Sequence, residues 1–455
     1  MKKRPFAQTA FLSILGRAGG AAIPFLIAAV YGASARTDAF FFAYSLAIAV
    51  TTLFSHMFEA AIIPYLASEH ADFSKAAWLL RRAFFISLPI FMLLGGGVSV
   101  ALKPFLASIS GWSAETAAMT GSLFTEFQPF LWFGLAASAW NGIFYHRKIF
   151  WLPAISPLVR ALIVIVFLFA GHGFLGIHAL TLGFVFGELA RVLLAWLLAG
   201  HFLPKAMVRV TADSVQGTLN HFFKDAVLQT AALLAVNLMV ISDQWFAGRA
   251  GEGYVTLLCY ADRLLQIPYL LFVAGFLNIF HADWADANAS VSRDFWSRLK
   301  KDMILVACGA AAVAIIMGFT AKFWIAAFYG TQKISTGERS VLTSVFIWYA
   351  AGFAPGIVRL ALGRALIVLK ESRFYLGQAW AELGLNILLN WTFMRFFGVP
   401  GIAMATACAY CLSAAWLTFF LLRKRKVSVQ CVIASTDAHE SAPQSDVKGN
   451  GRHCE

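Results

Sequence analysis

The stretch LCYADRLLQIPYLLF (258–272) sets Asp262 and Arg263 side by side in an otherwise apolar run. They fall about ten residues into that run, roughly 15 Å deep at the 1.5 Å rise of a helix. A charge at that depth in hydrocarbon costs ~2.5–3.5 kcal/mol, so it is kept only against protein or in a wet cavity. Adjacent helical residues do not share a face, so the two cannot simply neutralise each other. Just beyond, Pro268 removes a backbone donor and leaves the carbonyl of Leu264 without its helical partner, which predicts a bend. The other deep arginine is Arg17, in LGRAGGAAIP, where Gly16, Gly19 and Gly20 thin the helix and Pro24 can kink it. Two arginines facing one cavity suit a phosphate-bearing ligand, which the planar guanidinium holds through forked, charge-assisted bonds.

The remaining embedded or near-interface charges are Glu59, Glu126, Arg160, Glu188, Arg191, Asp225, Asp243, Arg359, Arg364, Glu382 and Arg395. Each reads first as part of an internal ion pair or as an end residue reaching the interface. Glu188 and Arg191 have the i, i+3 spacing of a local pair, and Arg395 lies near a helix end. Asp243 is also a candidate ligand for a monovalent cation. Cys408 and Cys411 form a C-x-x-C inside an apolar run, where small packing residues are expected. HADWAD (281–286) has metal-like spacing but sits at a helix end, where solvated residues are expected.

The elements that must position these residues are membrane helices. The chain has 455 residues, 60% hydrophobic and 13% charged, with a mean hydropathy of +0.72. Apolar runs from 8–31 to 399–422 recur along it, about twelve of them, each long enough for the roughly 20 helical residues that cross a bilayer. They lack period-two alternation, which excludes a β-barrel. The basic start Met1-Lys2-Lys3-Arg4 runs on into a full span, so no cleavable signal peptide is expected. Basic residues crowd the loops on the N-terminal side, from Lys75 and Arg81 to the Arg423-Lys424-Arg425-Lys426 run. Arg36, Lys103, Arg249, Lys333 and Arg339 are the few on the other side. This bias predicts a multi-pass protein with both termini cytoplasmic. The net charge of +13 is then a topology signal rather than a nucleic-acid footprint. No nucleotide-binding loop is present, and no cofactor is expected; membrane potential or a monovalent cation is the expected energy source.

The chain also reads as a duplication. RKIFWLPAISPLVRALIVIVFLFAGHGFLGIHAL from Arg147 and SRFYLGQAWAELGLNILLNWTFMRFFGVPGIAM from Ser372 share a basic start, aromatic residues, one span, a glycine turn and a second span. Lys148 then pairs with Arg373 and Gly176-Ile177 with Gly401-Ile402, at one constant separation. The expected fold is all-α: two parallel six-helix lobes, 1–205 and 206–426, around a central cavity, with a disordered cytoplasmic tail over 427–455.

YGASARTDAFFFAYSLAIAV followed by IIPYLASE, together with CYADRLLQIP and RLALGRALIVLKESRF followed by GIAMATACAY, resembles the MurJ (MviN) family. The resemblance covers about residues 8–425. It implies a flippase, not an enzyme, in the bacterial inner membrane. Its substrate would be lipid II, an undecaprenyl-pyrophosphate-linked saccharide, moved outward by alternating access for peptidoglycan synthesis. It further implies substrate-binding roles for Arg17, Asp38, Asp262, Arg263 and Arg364, and no nucleic-acid or nucleotide partner beyond membrane lipids. The sequence departs from the family at Ile23 and at Thr51-Thr52, where family members carry basic residues. It also departs after Arg423, where they continue into two further helices. An O-antigen or exopolysaccharide carrier is the alternative substrate reading; a drug/cation antiporter and a membrane glycan enzyme are the rival classes.

Overall fold

The helices form because their residues leave the backbone no better partner than itself in an apolar surround. The computed structural model describes residues 3–67, 95–146, 149–202, 213–289, 294–330 and 333–440, with the single positions 89 and 93. In order they build α1 (Lys3–Tyr31), α2 (Ala35–Ala67), α3 (95–107), α4 (Ala114–Glu126), α5 (Gln128–His146), α6 (Trp151–Leu175) and α7 (His178–Phe202). Then follow α8 (Asp213–Ala250), α9 (Tyr254–Leu271), a π-helical turn (Phe272–Leu277), α10 (Asn278–Ala289), α11 (Asp294–Phe319) and α12 (Ala321–Tyr329). The chain ends in α13 (Thr336–Val368), α14 (Ser372–Phe397) and α15 (Pro400–Glu440). Among the described residues, 7 helices are each long and apolar enough to span a membrane. The stretches α4–α5 and α9–α10 each fall into two helical segments, and α11, long enough to cross alone, is followed by the short α12. The wide π turn follows closely on Pro268, where a break was expected.

The first lobe packs α1 on α6, α2 on α4 and α5, and α7 on α5 and α6. The second packs α9, α11 and α15 on α13, and α14 on α8 and α15. The lobes meet where α2 lies along α8 and where α1 and α2 touch α9. In α1, a Cβ at Gly16 would fall on the carbonyl oxygen of Ala154, and one at Gly19 would press on Leu158 and Ala161. The small residues thus set how closely α1 seats on α6.

The duplication is visible in the backbone, in a register shifted from the one expected. Gly176 (φ 58°, ψ −134°) and Gly398 (φ 63°, ψ −144°) end α6 and α14 in the same glycine-only conformation. Each accepts at its carbonyl from the residue three on, Ala179 and Gly401. Gly176 therefore matches Gly398, not Gly401. Sequence pairing favours Gly401 because Gly-Ile recurs there, but the turn conformation belongs to the earlier glycine. At the C-terminal end α15 runs to Glu440, and no Gly or Pro interrupts 427–440. Residues 441–455 lie outside the described residues.

Candidate functional site

Between α2 of the first lobe and α8, α9, α13 and α15 of the second lies a cavity of about 460 Å³. Asp262 and Arg263 both line it. A third residue, one turn on, joins them. Arg263 Nη1 donates to Gln266 Oε1 at 2.6 Å, and Gln266 Nε2 donates to Asp262 Oδ2 at 2.7 Å. The relay explains how two adjacent charges on different faces are satisfied within one helix. Among the described residues it holds the guanidinium by a single nitrogen, which leaves its other donors available to a ligand.

Asp243, on α8, lines the same cavity and is buried. Its carboxylate accepts from Asn390 Nδ2 at 2.6 Å and Thr406 Oγ1 at 2.9 Å. Asn390 also donates to Asn386 Oδ1 at 3.0 Å, while among the described residues its own Oδ1 is buried with no hydrogen-bond partner. An acid, two amide oxygens and a hydroxyl from α8, α14 and α15 are the hard oxygen ligands a small cation takes. The neighbouring Gln244 ties this cluster across the lobes: its Nε2 donates to Ser45 Oγ of α2 at 2.7 Å and lies 3.4 Å from Cys259 Sγ of α9.

Two expected ligands, Asp38 and Arg364, fall elsewhere. Asp38 is fully buried and does not line the cavity. Its Oδ2 accepts from the Gly253 amide at 2.6 Å; its Oδ1 accepts from the Thr256 amide at 2.8 Å and Thr256 Oγ1 at 2.6 Å. The unpaired N–H groups that open α9 attract the carboxylate, so Asp38 caps the other lobe's helix instead of facing a ligand. Arg364 is half-buried beyond the cavity lining, beside Tyr269 and Tyr375. Arg17 sits on α1, but its side chain lies outside the described residues, as do those of Glu59 and Asp225.

Asp38 belongs to a wider seam that closes the lobes at the end where α1 passes into α2. Tyr260 donates to the carbonyl of Gly32 at 2.8 Å, and Lys333 Nζ to that of Val30 at 3.1 Å. Glu252, just before α9, accepts from Ser113 Oγ at 2.8 Å and Thr116 Oγ1 at 2.6 Å, and from the Ser113 amide at 3.1 Å. These bonds hold the Glu252 carboxyl below its usual value. Each lobe thus lends an acid to the start of a helix in the other.

The expected internal pairs are present. Glu188 binds Arg191 at 2.6 Å and Arg160 at 3.0 Å, and Arg359 binds Glu382 at 3.1 Å. Arg395 is exposed and lies over Trp391, 3.7 Å from the ring centroid.

Residues 27–440 match the family described as lipid II flippase MurJ. The chain belongs to the MurJ family. It is 24% identical over 434 residues to the lipid II flippase MurJ of Burkholderia cenocepacia, covering 91% of this chain and 82% of that one. It is 21% identical over 435 residues to the probable lipid II flippase MurJ of Buchnera aphidicola, covering 93% and 83%. In fold it is similar to a solved lipid II flippase MurJ in an inward closed conformation. The TM-score is 0.75 at 19% identity, over 98% of this chain and 94% of that one. An inward-facing multidrug MATE transporter of the MOP superfamily follows at a TM-score of 0.73 and 12% identity, over 94% and 96%. Two six-helix lobes around a cavity are the architecture of this MurJ-family chain, and it is a multi-pass membrane protein.

Proposed function

We propose that this MurJ-family chain flips lipid II, an undecaprenyl-diphosphate-linked saccharide, from the inner to the outer leaflet of the bacterial cytoplasmic membrane. The observation that carries the reading is Arg263. It faces a cavity between lobes, is held by one nitrogen through Gln266 and, among the described residues, has no carboxylate bonded to it directly. A guanidinium so placed suits a phosphoryl oxygen, with Asp262 orienting it through Gln266. The reaction is transport by alternating access, with no bond made or broken and no enzymatic step.

The orientation follows from the charge bias: the seam closed by Asp38 and Glu252 faces outward, and both termini are cytoplasmic. Asp243, with Asn390, Asn386 and Thr406, supports coupling to a monovalent cation. In the shifted repeat register Asn386, Asn390 and Thr406 correspond to the apolar Val164, Leu168 and Phe184 of the first lobe, so the polar cluster is peculiar to the second. The membrane potential supplies about 2.3 kcal/mol per charge per 100 mV.

The test is depletion in cells together with transport by the purified chain in vesicles. Lipid II should accumulate on the inner leaflet, and vesicles should expose it outside in proportion to active protein. Accumulation of a different lipid-linked glycan would replace lipid II in this reading, and vesicles that move neither would defeat it.

A further inference from the structure

The first turn of α4 is completed by the opposite lobe. Ser113 is the N-cap of α4, and its hydroxyl accepts from the Thr116 amide at 3.2 Å. A full capping box has a second bond, from the N-cap amide to an acid or amide side chain at the third helical position. Thr116 stands at that position, and its side chain is too short to reach back. The Ser113 amide donates instead to Glu252 Oε1 at 3.1 Å, and the Ser113 and Thr116 hydroxyls bond the same oxygen at 2.8 Å and 2.6 Å. Glu252 lies 139 residues on from Ser113, in the turn that leads into α9 of the second lobe.

The repeat shows what is unusual here. α4 begins at Ala114 and α5 ends at His146, while α13 begins at Thr336 and ends at Val368, both at the separation that relates Gly176 to Gly398. Ser113 therefore falls on Ser335, and Thr116 on Glu338. In the second lobe the box closes locally: the Ser335 amide donates to Glu338 Oε2 at 2.7 Å, and the Glu338 amide to Ser335 Oγ at 3.3 Å. The first lobe lacks that acid and takes one from its partner. It also has more need of it, because α13 is one unbroken helix whereas α4 is 13 residues long and ends at Phe127. A helix that short is marginal by itself and depends on its cap. The seam around the cap is close. A Cβ at Gly111 would fall on the carbonyls of Gly248 and Arg249, and Trp245 Nε1 donates to Ser108 Oγ at 3.2 Å. Separating the lobes at this end must therefore take Glu252 away from α4.

We infer that Glu252 serves as the missing third-position acid of α4, so that the lobes part at this end only by uncapping that helix. The device is a clasp whose strength is set by one residue type. With a longer acceptor at 116, as at 338, α4 would cap itself and the lobes would open more freely. With threonine there, the second lobe holds the cap and the closed arrangement is favoured. The inference concerns opening alone and holds whatever the cavity carries.

Amide hydrogen exchange on the purified full chain in lipid nanodiscs tests this at two places, the first turn of α4 (113–117) and the start of α9 (253–256). Thr116→Gln supplies a third-position acceptor without adding charge. Protection at 253–256 should fall by about tenfold, equivalent to ~1.4 kcal/mol and typical of a helix cap, while α4 keeps its protection. A fall of less than about threefold at 253–256 overturns the inference. If Thr116→Gln does not fold, Glu252→Ala serves: protection should drop at both places, because the cap and the closure are lost together. A bond that only stabilised the end of α4 would lower protection at 113–117 and leave 253–256 unchanged, and that result with Glu252→Ala overturns the inference. Adding Thr116→Gln to Glu252→Ala should restore protection to α4 and not to 253–256; recovery at both places would again overturn it.

Discussion

Replacing Asp38 with asparagine tests whether the seam at the start of α9 holds the lobes closed. The carboxylate accepts three bonds, two from backbone amides and one from the Thr256 hydroxyl. Asparagine keeps the shape but offers only one acceptor oxygen; its NH2 would face a donor, either the Gly253 amide or the Thr256 pair. The loss combines a charge-assisted hydrogen bond, ~1.5–3 kcal/mol, with part of a helix cap, ~0.5–2 kcal/mol. These overlap, and a net cost of about 2 kcal/mol to the closed state is expected. That multiplies the open population roughly thirtyfold. Amide hydrogen exchange on the full chain in nanodiscs reads it directly, because the amides of Gly253 and Thr256 are the donors that opening releases. Their protection should fall by about the same factor in the Asp38→Asn variant. The amides of α11, which packs on α10, α12 and α13 away from the latch, should not change. A change of less than about threefold at 253–256 would refute the latch, because it leaves under ~0.7 kcal/mol for all three bonds.

Three further outcomes follow from the same geometry. Arg263→Lys should lose much of the transport, and Arg263→Ala nearly all of it, at normal membrane abundance; abundant, fully active Arg263→Ala protein would end the anion-ligand reading. Asp243→Asn should abolish stabilisation by sodium over choline at equal ionic strength, measured as a melting shift, and leave undecaprenyl diphosphate binding within about threefold. A retained sodium response would move the cation elsewhere. Glu252 is outside the spans, and its carboxyl lies below the ordinary glutamate value of 4.5 when bonded to Ser113 and Thr116. A depressed value means its stabilisation is complete above 4.5 and is lost as pH falls through the lowered value. Acidification across that window should lower the protection factors at 113–117, corrected for intrinsic exchange, and Glu252→Gln should remove that loss of protection.

Part of this site was legible because charge is expensive in an apolar run. Asp262, Arg263 and Asp243 stand out on that ground alone, and all three line the cavity. Gln266 does not stand out, since a neutral amide on a helix carries no such penalty; the cue available was its spacing, one turn from both charges. Asn386 and Asn390 offer a comparable cue, two amides at i, i+4 within an apolar run, but carry no charge to single them out. Asp38 was visible as an acid opening a span, but its role was not. The amide it caps lies 215 residues away, a distance that no periodicity encodes. The repeat was legible as similarity, while its register depended on backbone conformation at a glycine, which identity matching cannot distinguish from a nearby Gly-Ile.

One helix joins the gate to the ligand. At its first turn α9 gives the Gly253 and Thr256 amides to Asp38, and Tyr260 reaches the Gly32 carbonyl. Two turns on from Thr256 it presents Asp262 and Arg263, about 10 Å along the axis at 1.5 Å per residue. Between these points Cys259 faces Gln244, the neighbour of Asp243 and the donor to Ser45 on the opposite lobe. A short unbroken helix moves as a body, so a phosphoryl group that draws on Arg263 acts on the same element that Asp38 restrains. The helical geometry changes only after the charges, at Pro268 and the π turn between α9 and α10. Placed there, it leaves the latched half and the ligand-bearing half of α9 in one regular helix. A phosphoryl group bound at Arg263 would therefore load the Asp38 bonds. The Asp38→Asn variant, having fewer of those bonds to break, should then open with less help from the diphosphate than the unaltered chain needs.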